Sequence, residues 1–126
     1  MASPLQLKLQ ALSDEYQNLN KELQETVLAR QKLEAQKQEN VSVQNEFEKL
    51  KDDEQIFKLV GPVLLKQDKM DAENTVKGRL EFISKEITRL EGVIKETQGK
   101  IEKKRTEIIQ VQTSAQAGGA PQAVKA

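Results

Sequence analysis

The sequence contains no cysteine, no histidine and no tryptophan, and its aromatics are three Phe and one Tyr. Without cysteine there is no disulfide framework and no thiol nucleophile, which fits a reducing compartment. Without histidine the commonest general base is missing as well. No GxxxxGK[ST] phosphate loop, no GxGxxG and no metal-ligand spacing occurs. Asp52-Asp53 is the clearest carboxylate pair, and it reads as a solvated turn rather than an acid–base dyad. An enzyme is therefore not expected, and no catalytic, cofactor-binding or metal-binding residue is assigned. The scarcity of aromatics also argues against a compact globular core, because these side chains carry much of the buried area in such cores.

Two further absences concern location and partners. No stretch approaches the roughly 20 apolar residues of a membrane span. The opening MASPLQLKLQ has no continuous apolar run of the kind a signal peptide needs. A cytoplasmic protein with no membrane partner is expected. Net charge is zero, from 20 basic and 20 acidic residues, whereas a phosphate-binding surface needs an excess of Lys and Arg on one face. The one basic cluster is Lys100, Lys103, Lys104 and Arg105. It has Glu96, Glu102 and Glu107 within i,i+4 reach and reads as a solvated helix face. No nucleic-acid partner is expected.

Charged residues make up 32% of the chain, and Glu, Lys, Gln, Leu, Ile and Val dominate the rest. High charge also marks disordered chains. Two features oppose disorder: the charges balance, and the apolar residues are periodic. Ser3 can cap a helix whose first turn holds Pro4. A 3-4 spacing then runs through Leu5, Leu9, Leu12, Tyr16, Leu19 and Leu23. The same register continues through Thr26, Arg30, Leu33, Lys37, Asn40, Gln44 and Phe47, with Val27, Val41, Val43 and Leu50 beside it. The spacing predicts a helix over 4–51, with a stutter or a looser partner surface after residue 26.

The pattern changes at IFKLVGPVLLKQD. Gly61-Pro62 stops a helix, since Pro lacks an N–H and restricts the residue before it. The apolar runs on either side predict a β-hairpin over 56–66, with strands 56–60 and 63–66. A second helix over 71–113 follows, with the seam Val76, Leu80, Ile83, Ile87, Leu90, Ile94, Thr97, Ile101, Lys104, Ile108, Val111 and Ala115. All but Thr97 and Lys104 are apolar. Gly78, Gly92 and Gly99 fall on the outer face and leave no hole in that seam. Residues 114–126 are small and Gly/Pro-containing, and are expected to be a disordered tail. The predicted fold is mostly α: a long antiparallel two-helix coiled coil with one β-hairpin at the bend, forming one domain over 1–113.

A lone two-stranded hairpin is marginal in water. Ile56, Phe57, Leu59, Val60, Val63, Leu64 and Leu65 would form an exposed apolar patch, and the strand edges would lack partners. Assembly through the hairpin Ile56–Leu65 is inferred; the plainer alternative folds the segment back onto its own coiled coil. At the far ends of the helices lie Leu5, Leu7, Leu9 and Leu12 and, opposite, Ile108, Ile109 and Val111. Leu7 and Ile109 fall off the seam. They are either frayed coiled-coil packing or a sticky tip for non-native apolar segments of other proteins.

The order helix, single hairpin, helix resembles the β class of prefoldin subunits. The Gly61-Pro62 hairpin core followed by Arg79, Leu80 and Ile83 is the specific part of that resemblance, which covers nearly the whole chain apart from the tail. The α class has two hairpins between its helices, and the stretch 52–70 has room for one. The resemblance implies a hexamer in which this chain joins two α-like and three further β-like subunits through their hairpins. It implies that the tips grip unfolded clients, nascent actin and tubulin above all, and pass them to the cytosolic group II chaperonin without ATP or any cofactor. Ile56–Leu65, with Gly61 and Pro62 at the turn, would serve assembly. The seven tip residues named above would be the client contacts. Two other readings compete: a structural coiled-coil tether in another complex, and a homo-oligomeric holdase. A simple spacer has no reason to interrupt its heptads with VGPVLL.

Overall fold

The computed structural model describes residues 3–51 and 53–119, with the backbone alone for 117–119. Four elements follow one another: α1 (Pro4–Lys49), β1 (Ile56–Val60), β2 (Val63–Gln67) and α2 (Lys69–Gly119). This is the mostly α fold read from the sequence, two long antiparallel helices joined by one β-hairpin. The helices hold 46 and 51 residues.

Each helix begins on a cap that the sequence encodes. Ser3 Oγ accepts from the Gln6 N–H at 3.1 Å, and Gln6 Oε1 accepts from the Ser3 N–H at 3.0 Å. This reciprocal pair is a capping box, with Pro4 at the first helical position, where a missing N–H does no harm. At α2, Asp68 Oδ2 accepts from the Asp71 N–H at 3.2 Å and the Asp68 carbonyl accepts from the Ala72 N–H at 3.0 Å. That cap starts α2 at Lys69 rather than at 71.

The other ends also differ from expectation. α1 stops at Lys49, two residues early, where the Leu50 N–H donates to the Phe47 carbonyl in a tighter turn. α2 runs past residue 113, so the tail expected from 114 onward begins as helix over 114–119. Ala115, Gln116 and Ala117 are good helix formers, and the glycine pair that weakens a helix comes only at 118–119. The rest of the expected tail, 120–126, lies outside the described residues.

The chain divides into two compact units. One contains residues 29–90; the other pairs α1 up to Leu28 with α2 from Glu91. In the first unit the buried side chains come from α2: Ala72, Val76, Ile83, Ile87 and Leu90. The facing residues of α1, Arg30, Leu33, Lys37, Asn40, Gln44 and Phe47, are half-buried. The 3-4 step therefore continues without a stutter, and Val41 packs half-buried beside it. Long polar side chains cover the α2 stripe with their apolar stems while their heads stay wet.

In the second unit Leu12, Ile101 and Val111 are buried, with Thr97 among them. Leu9, Tyr16, Leu19 and Leu23 are half-buried. Both stripes recur at three and four residues, so every turn presents an apolar side chain to the partner helix. Seam burial is the main stabilising term, since helices of such polar composition gain little from propensity alone.

Candidate functional site

The hairpin is built by its turn. Gly61 has φ +59°, and no non-glycine residue among those described has positive φ. Pro62 is held at negative φ by its ring. Positive φ at the first central residue alone is the type II′ pattern, which matches the twist of the flanking strands. The register is fixed accordingly: Val60 faces Val63, Leu59 faces Leu64, Lys58 faces Leu65, Phe57 faces Lys66 and Ile56 faces Gln67.

This register sorts the side chains onto two faces. One carries Ile56, Val60, Val63 and Leu65 with Lys58 and Gln67. The other carries Phe57, Leu59 and Leu64 with Lys66. Neither face is covered. Ile56 and Gln67 alone are half-buried, at the end nearest the helices; every other strand residue is exposed, reaching 68% at Leu59 and 63% at Leu64. The alternative in which the segment folds back onto its own helices is not what the structure contains. Among the described residues the sheet has two strands, so each has one edge without a partner strand. In a two-residue hairpin the pair flanking the turn exchanges both backbone bonds, and alternate pairs point outward. The backbone groups of Phe57, Leu59, Leu64 and Lys66 thus face the open edges.

The other predicted surface lies in the second unit. Lys104 Nζ meets Glu15 Oε2 at 2.6 Å, and the Arg105 guanidinium approaches the Tyr16 hydroxyl at 3.5 Å. These cross-helix contacts bring α1 around Glu15 and Tyr16 beside α2 around Lys104 and Arg105. The seven predicted tip residues then separate by burial. Leu12 and Val111 are in the seam, Leu9 and Ile108 are half-buried, and Leu5, Leu7 and Ile109 are exposed, Leu7 at 60% and Ile109 at 53%.

Three of the four basic residues in the α2 cluster are paired along the helix, as their spacing suggests. Lys100 lies 3.5 Å from Glu96, Arg105 3.4 Å from Glu102, and Lys104 3.4 Å from Glu107. The contact of Lys104 with Glu15 was not legible from helix spacing, because it joins residues of different helices. Hydrogen bonding to Glu15 above all raises the Lys104 pKa above its ordinary value. The hydrogen bond from Arg105 is the main cause lowering that of Tyr16. Among the described residues no helix is long and apolar enough to cross a membrane, and no acidic group is arranged to hold a metal ion.

The comparisons with known proteins agree with this geometry. Residues 10–115 match the family described as prefoldin subunit. The chain belongs to the prefoldin subunit family, whose members are chaperone subunits, and its single hairpin makes it β-type. Within that family its likeness is to prefoldin subunit 6. It is 45% identical to prefoldin subunit 6 of Saccharomyces cerevisiae over 86% of this chain and 95% of the relative. It is 40% identical to that of Homo sapiens, over 98% and 95%. The crystal structure of the prefoldin beta subunit from Thermococcus strain KS-1 superposes with a TM-score of 0.74 at 26% identity, covering 80% of this chain and 89% of that one.

Proposed function

We propose that this chain is one arm of a hetero-hexameric, ATP-independent cytosolic holdase, joined through its hairpin to two α-like and three further β-like prefoldin subunits. The observation that carries the reading is the hairpin itself, with apolar side chains on both faces and two open edges. Apolar area left in water on this scale marks a contact surface. An open strand edge is satisfied by adding a strand. Neighbouring hairpins supply both at once, and closing the strands into a barrel leaves no edge exposed.

Client binding is assigned to the exposed tip residues Leu5, Leu7 and Ile109, with Leu9 and Ile108 becoming available where the end of the coil opens. An unfolded chain offers scattered apolar side chains, and several weak apolar contacts hold it without selecting a sequence. Actin and tubulin are the proposed clients, and the cytosolic group II chaperonin is the proposed recipient. Both proposals rest on the family likeness. Co-expression with partner subunits tests the assembly half. Phe57→Asp with Leu65→Asp places a charge on each face of the hairpin. The variant should fail to enter the complex while the wild-type chain enters it. Incorporation of the double variant at wild-type level would refute assembly through the hairpin.

A further inference from the structure

The unit formed by residues 29–90 has two dissimilar flanks. On one, Glu48, Glu73 and Lys77 line a cleft of mixed charge. On the other, one cleft runs beside Val43, Phe57, Lys58 and Arg79, and a second runs beside Gly78, Arg79 and Phe82. Arg79 lines both, so the two adjoin one another on the same side of α2. Among the described residues no carboxylate lines either cleft, and the charged residues that line them are Lys58 and Arg79. Neither of these cations is ion-paired to another described residue. The sequence explains this for Arg79, whose i±3 and i±4 neighbours are Thr75, Val76, Phe82 and Ile83. Phe82 is 66% exposed, one turn from Gly78, where a Cβ would meet nothing within 4 Å.

We infer that this flank is a second contact surface for the neighbouring prefoldin subunit, continuing the hairpin contact onto the helices, and that the surface it receives is apolar with carboxylates set against Arg79 and Lys58. The inference rests on the hairpin reading above, because Phe57 belongs both to an uncovered hairpin face and to the cleft. Charge complementarity identifies the partner's chemistry: two unpaired cations beside two exposed phenylalanines fit an acidic, apolar protein surface. A small anion would neutralise the cations and leave both rings in water. Arg79 is suited to the role, since its planar fork binds a carboxylate through two parallel hydrogen bonds. The mixed charges of the opposite flank would not select such a partner. The hairpin's open edges and apolar side chains supply affinity, and the cations Lys58 and Arg79 supply the choice of neighbour.

The test uses the complex co-expressed with its partner subunits and purified through this chain. A photo-crosslinking amino acid at position 82 should join the helical base of one adjacent subunit, next to Asp or Glu. Arg79→Glu should speed loss of this chain from the complex roughly tenfold, read by subunit exchange. Lys77→Glu on the opposite flank should leave exchange unchanged. Leu59→Asp with Leu64→Asp keeps the two readings apart. If that variant still assembles, the hairpin reading falls, and this inference with it. If assembly needs the hairpin but Arg79→Glu exchanges at the wild-type rate, the flank inference alone is overturned. A crosslink from position 82 only to added client, or to no protein, overturns it as well.

Discussion

Gly92 and Gly99 each sit inside α2 with open space where a Cβ would stand. Glycine there gives up backbone entropy with no steric reason, unlike Gly61, whose positive φ a side chain would strain. Gly99→Ala should therefore stabilise the helical fold by about 1 kcal/mol, and Gly61→Ala should destabilise the hairpin. Thermal unfolding followed at 222 nm checks the first, and amide exchange of Lys58 and Leu65, whose backbone groups pair within the hairpin, the second. Ile87 is buried in the seam, and Ile87→Ala should destabilise by roughly 2–4 kcal/mol. Titration belongs at this scale too. Glu15 raises the pKa of Lys104. A raised cation pKa gives stability that is present below the unfolded value and lost as pH rises through the folded one. The helix pairing near Lys104 should thus loosen in the alkaline range above pH of about 10.4, while Glu15→Gln should flatten that dependence in a pH series of melting curves.

At the scale of elements, the seam of α2 was legible because one side chain at every three or four residues is apolar from Val76 to Val111, with Thr97 and Lys104 the exceptions. The hairpin was legible because Gly61-Pro62 admits so few backbone conformations. What escaped has local causes. The start of α2 lay in the Asp68 cap, easily taken for part of the polar linker before it. Its end lay in the good helix formers at 115–117, which glycines and a proline further on obscured. Burial at the tip escaped because heptad position says which residues face inward, not how tightly they pack: Leu12 is covered, while Leu5, on the same seam, is left exposed. The exposure of Phe82 was not legible, because one aromatic beside a seam looks like seam packing. The elements also respond separately to mutation. Phe57→Asp with Leu65→Asp should leave helicity within about a tenth of wild type by circular dichroism, because those exposed side chains add little to the helix seam. Loss of most of the helical signal would show that the hairpin supports the helices. Leu7→Ser with Ile109→Ser should keep assembly intact and reduce suppression of a denatured client's aggregation, measured by light scattering. Unchanged suppression would remove those residues from the client surface.

On the scale of the whole molecule, a chain with this much exposed apolar hairpin is incomplete alone. Expressed by itself it should aggregate or form ill-defined oligomers. Co-expressed with partner subunits it should become part of one defined species. A tether holding two fixed partners would need neither open strand edges nor apolar side chains on both hairpin faces. Native mass spectrometry of the species purified through this chain addresses the point directly, because mass gives partner identity and stoichiometry together. A hetero-hexamer containing one copy of this chain, lost when Leu59 and Leu64 become Asp, is the expected result. A stable, monodisperse monomer with its hairpin intact would contradict the account.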